Sequence, residues 1–293
     1  MVAAEGVFAE GAPCWTDAML PDLEAGKRFY GELFGWTFGD PAPPERPGQP
    51  GQPGQPGQPG RSERPGHSVQ GARTVALLGG RRVASLVRKP DGRLPTVWTV
   101  YLAAPDAAAT ARRIRAAGGQ LVTEPEAVGR DGVAATAVDP DGAVFGLWQP
   151  EELAGFEAVR EPGSYVWTEV CTREREPVDA FYREVFGYVM YPAGDESTGE
   201  AADIMVWAPR GEPADDEHAV GSRTMIDETY PVEMPAHFLV HFAVADCDAA
   251  VRTTVRLGGR TIDGPQDTPF GRYAVLADNQ GARFGVLDTS TAL

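Results

Sequence analysis

The chain contains the same long pattern twice. Trp15-Thr16-Asp17 is followed by the run RFYGELFGW ending at Trp36, and Trp167-Thr168-Glu169 by AFYREVFGY ending at Tyr188. Further on, RIRAAGG (113–119) matches TVRLGG (254–259), and DPDGAVFGLW (139–148) matches DNQGARFGVL (278–287). The spacing between copies is 152 residues at Trp15 and Trp167 but 139 at Asp139 and Asp278. The order of the motifs is the same in both copies. A duplicated domain fixes the architecture more tightly than any local propensity does. The shorter late spacing requires an insertion in the first copy. The tract GQPGQPGQPGQPG at 48–60 supplies it. That tract has no apolar side chain to bury and too few repeats for a triple helix, so it is expected to be an extended surface loop.

Each copy divides again into two units of strand, helix and further strands. Strands are expected at about 12–19 and 96–103, and helices at about 22–34 and 105–117, with the second copy repeating the plan from about 164 and 237. Leu23, Tyr30, Leu33 and Phe34 recur at helical spacing and Gly35 follows as a stop. Val178, Phe181, Tyr182, Val185 and Phe186, stopped by Gly187, repeat that pattern. The resulting expectation is an α+β chain. One domain spans 1–150 with a loop at about 41–66, a linker spans 151–162, and a second domain spans 163–293.

Composition narrows the function classes. Hydrophobic residues make up 42% and charged residues 23%, as in a globular protein. The net charge of −16 would repel a phosphate backbone, so nucleic acid is an unsuitable partner. No apolar run approaches the ~18 residues of a membrane span. The N-terminus lacks a basic leader. Three cysteines, Cys14, Cys171 and Cys247, fit neither a disulfide framework nor a zinc site. A cytoplasmic protein, monomeric or homodimeric, with a small organic molecule as partner is expected.

The ordered set resembles the vicinal oxygen chelate superfamily, which includes glyoxalases, bleomycin resistance proteins and dioxygenases. The set runs strand, D-L-x5-F-Y-x3-F-G, strands, a helix closed by Gly-Gly, D-P-D-G and a last strand. The resemblance spans nearly the whole chain, twice. It implies paired βαβββ modules forming one cupped mixed sheet per domain, helices on the convex face and a ligand in the concave face. In the metal enzymes of the superfamily, a histidine on a module's first strand and a glutamate on its last hold a divalent ion. Matching by count places Trp15, Trp167, Thr99 and Leu239 at the histidine positions, and Gly146 and Gly285 at two of the glutamate positions. The other two fall near Ser85 and Gly221-Ser222. None of these is a suitable ligand. No cofactor is therefore expected, with a divalent metal as the alternative.

Residues two positions along a strand share a face. Asp17 and Tyr101, with Trp15 and Trp148, are expected to line the first cup. Glu169 and His241, with Trp167, Tyr165 and His237, are expected to line the second, where Arg283 would reach in to pair with Glu169. A shifted ion site at Glu169 and the histidines is a further alternative. An acid in mid-strand beside a tryptophan, twice, points to a ligand, because such a carboxylate is costly unless solvated or paired. Aromatic walls with one acid suit a flat or cationic molecule. The leading expectation is metal-independent small-molecule binding, in resistance, sequestration or secondary metabolism. The alternatives are a metal-free isomerase or lyase, with Asp17 or Glu169 as general base and His241 or Tyr101 as acid partner, and a divalent-metal glyoxalase or extradiol dioxygenase. Structural roles stay open for each site residue: core filling for the tryptophans, an internal partner for each acid, and a satisfied buried position for His241.

Overall fold

The computed structural model describes residues 8–39, 73–193, 204–228 and 230–292; the GQP tract lies outside them. The first domain contains two modules. One runs β1 (Pro13–Leu20), α1 (Leu23–Phe34), β2 (Thr37–Phe38), β3 (Arg73–Leu78) and β4 (Arg81–Arg88). The other runs β5 (Val97–Ala103), α2 (Ala107–Ala116), β6 (Gln120–Val128), β7 (Gly132–Val138) and β8 (Val144–Pro150). The second domain repeats them. Its first module is β9 (Tyr165–Thr172), α3 (Arg175–Phe186), β10 (Val189–Pro192), β11 (Ile204–Ala208) and β12 (Gly221–Met225). Its second is β13 (His237–Ala243), α4 (Cys247–Arg256), β14 (Arg260–Thr268), β15 (Gly271–Ala277) and β16 (Arg283–Asp288).

The sheets have the orders β2-β3-β4-β1-β5-β8-β7-β6 and β10-β11-β12-β9-β13-β16-β15-β14. In each, the two first strands (β1 with β5, β9 with β13) run antiparallel at the centre. Each is flanked by the parallel last strand of its own module. The expected α+β architecture of tandem paired βαβββ modules is therefore the observed one. Helix starts follow side-chain chemistry: Asp22 accepts from the Glu24 and Ala25 N–H groups, and Asp106 and Asp246 cap α2 and α4. Gly35 and Gly187, at φ 74° and 71°, take the left-handed turn that stops α1 and α3.

The phenylalanine–tyrosine pairs are core, but they also reach across the molecule. Phe34 packs on Phe242 and Phe284 of the other domain, and Phe145 packs on Phe181, Tyr182 and Phe186. The Tyr30 hydroxyl donates to Asp278 Oδ2 at 2.8 Å and the Tyr182 hydroxyl to Asp139 Oδ2 at 3.2 Å. Each D-x-x-G turn thus docks on the helix of the opposite copy. Gln280 bonds the Asp22 backbone, and Asp141 takes bonds from Thr172 and the Arg173 N–H. The segment joining β8 to β9 is tied down: Phe156 N–H bonds Cys14 carbonyl, and Leu153 and Phe156 are buried. The convex faces meet in this way, leaving the concave faces outward. No helix among the described residues is long and apolar enough to cross a membrane.

Candidate functional site

The register fixes which side chains share each cup floor. Asp17 stands beside Ser85 on β4, and Tyr101 stands beside Gly146 on β8. In the second sheet Glu169 stands beside Ser222 and His241 beside Gly285. A first-strand and a last-strand residue that share a ligand must lie side by side. The equivalent positions are therefore Asp17, Tyr101, Glu169 and His241, two residues on from Trp15, Thr99, Trp167 and Leu239. The two glycines are required by close approach. A Cβ on Gly146 would lie 2.1 Å from the Tyr101 ring, and one on Gly285 would lie 2.1 Å from His241 Nδ1. The ring of Tyr101 or His241 fills the space that a side chain there would need.

The first cup is a cavity of about 440 Å³ lined by Trp15, Asp17, Arg73, Tyr101 and Trp148, with Val87 and Ala134 among its apolar residues. The Tyr101 hydroxyl donates to Asp17 Oδ2 at 2.8 Å. Burial pushes the Asp17 carboxyl up to about 6, and the Tyr101 bond and the nearby Arg73 charge only partly offset it. The Tyr101 phenol is pushed well up, by burial first and then by Asp17. Arg73 Nε donates to Ser85 Oγ at 3.0 Å, and its guanidinium lies 3.8 Å from Asp131. Trp148 donates its indole N–H to the Leu153 carbonyl at 2.9 Å. Trp15, only 2% exposed, has no partner for its indole N–H.

The floor of the second cup is more fully hydrogen-bonded. Glu169 Oε1 takes His241 Nε2 at 3.0 Å, and Oε2 takes the Thr224 hydroxyl. Burial alone would raise the Glu169 carboxyl. The bond and charge of His241, with the Thr224 bond, outweigh it and hold the group below its usual range. Trp167 donates to Ser222 Oγ at 3.1 Å. The Tyr273 hydroxyl, on the ring nearest His241, donates to Asp263 at 3.0 Å.

Two expected cup residues lie elsewhere. Tyr165 is turned off the concave face by a bulge at Val166, which pairs Tyr165 with the helix-facing Phe242. It stacks on Phe156 at 4.8 Å, with Tyr188 and Cys14 among its electrostatic neighbours. Arg283 is exposed at the start of β16 and does not pair with Glu169, whose two oxygens are taken by His241 and Thr224. His237 lies on the cup strand β13 and bonds the Pro235 carbonyl at 2.9 Å. Sequence reasoning missed Arg73, Thr224 and Val87. Thr224 lay within reach of the period-two rule, two residues after Ser222. Arg73 follows directly on the inserted segment and carries no local signal.

A zinc site takes three or four protein ligands. The first cup floor offers Asp17 alone, and the second offers Glu169 and His241. Among the described residues no group of three histidine, cysteine, aspartate or glutamate side chains is placed to hold an ion.

Sequence comparison agrees with the fold. The profile of the Glyoxalase/Bleomycin resistance protein/Dioxygenase superfamily matches residues 15–147, and that of the Glyoxalase-like domain matches residues 167–287. The chain is similar to the anthracycline biosynthesis protein DauV of Streptomyces sp. (strain C5), at 32% identity over 97% of this chain and 96% of that one. It is equally similar to the anthracycline biosynthesis protein DnrV of Streptomyces peucetius, at 32% identity over 96% of this chain and 94% of that one. Among solved structures, the Mn(II)-bound glyoxalase from Novosphingobium aromaticivorans superposes with a TM-score of 0.56 at 15% identity, covering 97% of this chain and 86% of its own. The 2,3-dioxygenase LapB from Pseudomonas sp. KL28 gives 0.57 at 12% identity, covering 96% and 93%. At such identities the shared property is the fold.

Proposed function

Because this chain belongs to the glyoxalase/bleomycin resistance/dioxygenase superfamily, we propose that it binds a flat aromatic small molecule in a cup of that fold without using a metal ion. The observation that carries the reading is the first cavity. At about 440 Å³ it falls in the ordinary range for small-molecule sites, and it is walled by Trp15, Tyr101 and Trp148 around the half-buried Asp17 carboxylate, with Asp131, ion-paired to Arg73, also in its lining. Indole and phenol faces stack on conjugated rings and attract cations. Two of its relatives are named for anthracycline biosynthesis, which makes a fused-ring aromatic compound a first ligand to test, while two others bear the name Putative glyoxylase CFP32. Sequestration, resistance or a step in secondary metabolism would each follow from such binding.

The test is native mass spectrometry of the purified protein with and without an anthracycline, alongside quenching of tryptophan fluorescence. A saturable adduct supports the reading. One or two divalent ions retained at stoichiometric level would overturn metal independence and bring back glyoxalase or dioxygenase chemistry.

A specific observation favours a second reading, a metal-free isomerase or lyase. With its carboxyl near 6 and a phenol hydroxyl at 2.8 Å, Asp17 is suited to proton abstraction at neutral pH. Glu169, held low by His241, is the weaker base of the two. An Asp17→Asn variant that loses turnover but keeps affinity would select this reading over plain binding.

A further inference from the structure

The two cups descend from one pattern, yet their polar groups are satisfied differently. In the second cup every equivalent group has a partner. Trp167 donates to Ser222, Glu169 accepts from His241 at one oxygen and Thr224 at the other, and the Nδ1 edge of His241 lies against Gly285. In the first cup the same groups are left open, and three exchanges account for it. Arg73 donates to Ser85 and Trp15 does not, whereas Trp167 donates to Ser222. Val87 occupies the strand position equivalent to Thr224, so no hydroxyl reaches the second oxygen of Asp17. Tyr101 stands where His241 stands, so Asp17 receives a neutral hydroxyl rather than a group able to carry positive charge. The result is a carboxylate oxygen without a donor among the described residues, at the floor of a cavity walled by Trp15, Tyr101 and Trp148.

Resting on the binding reading above, we infer that the first cup is the single ligand site of the chain. Its ligand is a flat ring system that carries a protonated amine for Asp17, while the floor of the second cup is an internally bonded structural counterpart. The amine supplies the charge that His241 supplies to Glu169 in the other copy. Arg73 adds positive charge near Asp17 but makes no hydrogen bond to it among the described residues; its hydrogen bond and its ion pair go to Ser85 and Asp131. Burial raises the Asp17 carboxyl despite the Tyr101 bond, while Glu169, bonded by His241 and Thr224, is held down.

The experiment uses the full chain and two probes, an anthraquinone bearing one alkylamine and the same anthraquinone with a neutral alkyl group. Native mass spectrometry at saturation gives stoichiometry, and tryptophan quenching gives affinity. We expect one amine probe per chain and at least tenfold weaker binding of the neutral probe. Val87→Thr, which offers Asp17 the hydroxyl that closes Glu169, should weaken the amine probe about tenfold. Thr224→Val in the second cup should change it less than twofold. Ala134→Trp fills the first cavity without touching its polar floor, so it should also abolish binding and stands in if Val87→Thr does not fold. Two amine probes per chain, equal affinity for the two probes, or an equal loss in Thr224→Val and Val87→Thr would overturn the inference while leaving aromatic binding intact. Failure of both probes to bind at all would overturn the binding reading and the inference with it.

Discussion

Replacing Asp17 by asparagine should stabilise the protein at neutral pH, and the size of the gain follows from the site. The Asp17 carboxyl sits at about 6 in the folded chain against 3.8 for the free group. Its contribution to stability is fully present below 3.8 and is lost as the pH rises through 6, because the unfolded chain ionises first and the folded chain resists. At ~1.4 kcal/mol per pH unit the full loss is about 3 kcal/mol. The carboxylate faces an open cup, so solvent screens part of this, and about 1.5–3 kcal/mol is the expected range. Asparagine keeps an oxygen for the Tyr101 hydroxyl and does not titrate. In a chain of this size, each kcal/mol moves the melting temperature by about 2–4 °C. The assay is the melting temperature of both proteins from pH 4 to pH 8. The variant should match wild type near pH 4 and exceed it by several degrees at pH 7. A difference that stays flat across that interval would refute the argument. Glu169→Gln gives the opposite sign: Glu169 is held below its usual value, so its stabilisation is present at neutral pH and fades in acid. That variant should be the less stable protein at pH 7, with the gap closing as the pH falls.

Three further outcomes follow from particular contacts. Tyr30→Phe should cost about 2–3 kcal/mol in a denaturation experiment, because it strands both the Trp98 indole N–H and an oxygen of Asp278; Tyr182→Phe, which breaks only the bond to Asp139, should cost less. Gly146→Ala should cost about 1–3 kcal/mol or more, since its methyl would meet the Tyr101 ring at 2.1 Å, and tryptophan fluorescence should report the displaced wall of the cup. Treatment with a chelator should leave both the melting temperature and the affinity for an aromatic probe unchanged; a loss restored by adding a divalent ion would contradict the proposed function.

Most of the scaffold was legible because its signals are local and repeated. The apolar spacing before Gly35 and Gly187 sets two helices and their stops, and β1 and β5 begin and end within a residue or two of the alternating runs that mark them. What escaped depends on register, which no single strand encodes. Counting placed Trp15 and Thr99 at the ligand positions, whereas the pairing sets Asp17 and Tyr101 beside Ser85 and Gly146. Gly146 and Gly285 read in sequence as missing glutamates. In three dimensions they make room for the rings of Tyr101 and His241. One bulged residue, Val166, removed Tyr165 from the cup, and nothing in its neighbours marks that shift.

The duplication provides an internal comparison that bears on function. On the convex side the two copies solve packing in the same way: each helical tyrosine bonds the turn aspartate of the other domain, and each aromatic helix face packs on the other domain's strands. On the concave side the copies differ at Asp17 and Glu169, Tyr101 and His241, and Val87 and Thr224, and Arg73 enters one floor only. A position that serves only stability has no reason to trade a satisfied carboxylate for one half-buried and pushed up to about 6. Because the interlocked convex faces hold the domains together, one cup floor can give up internal bonds without unfolding the chain. The open oxygen of Asp17 is therefore better explained by a ligand than by imperfect packing.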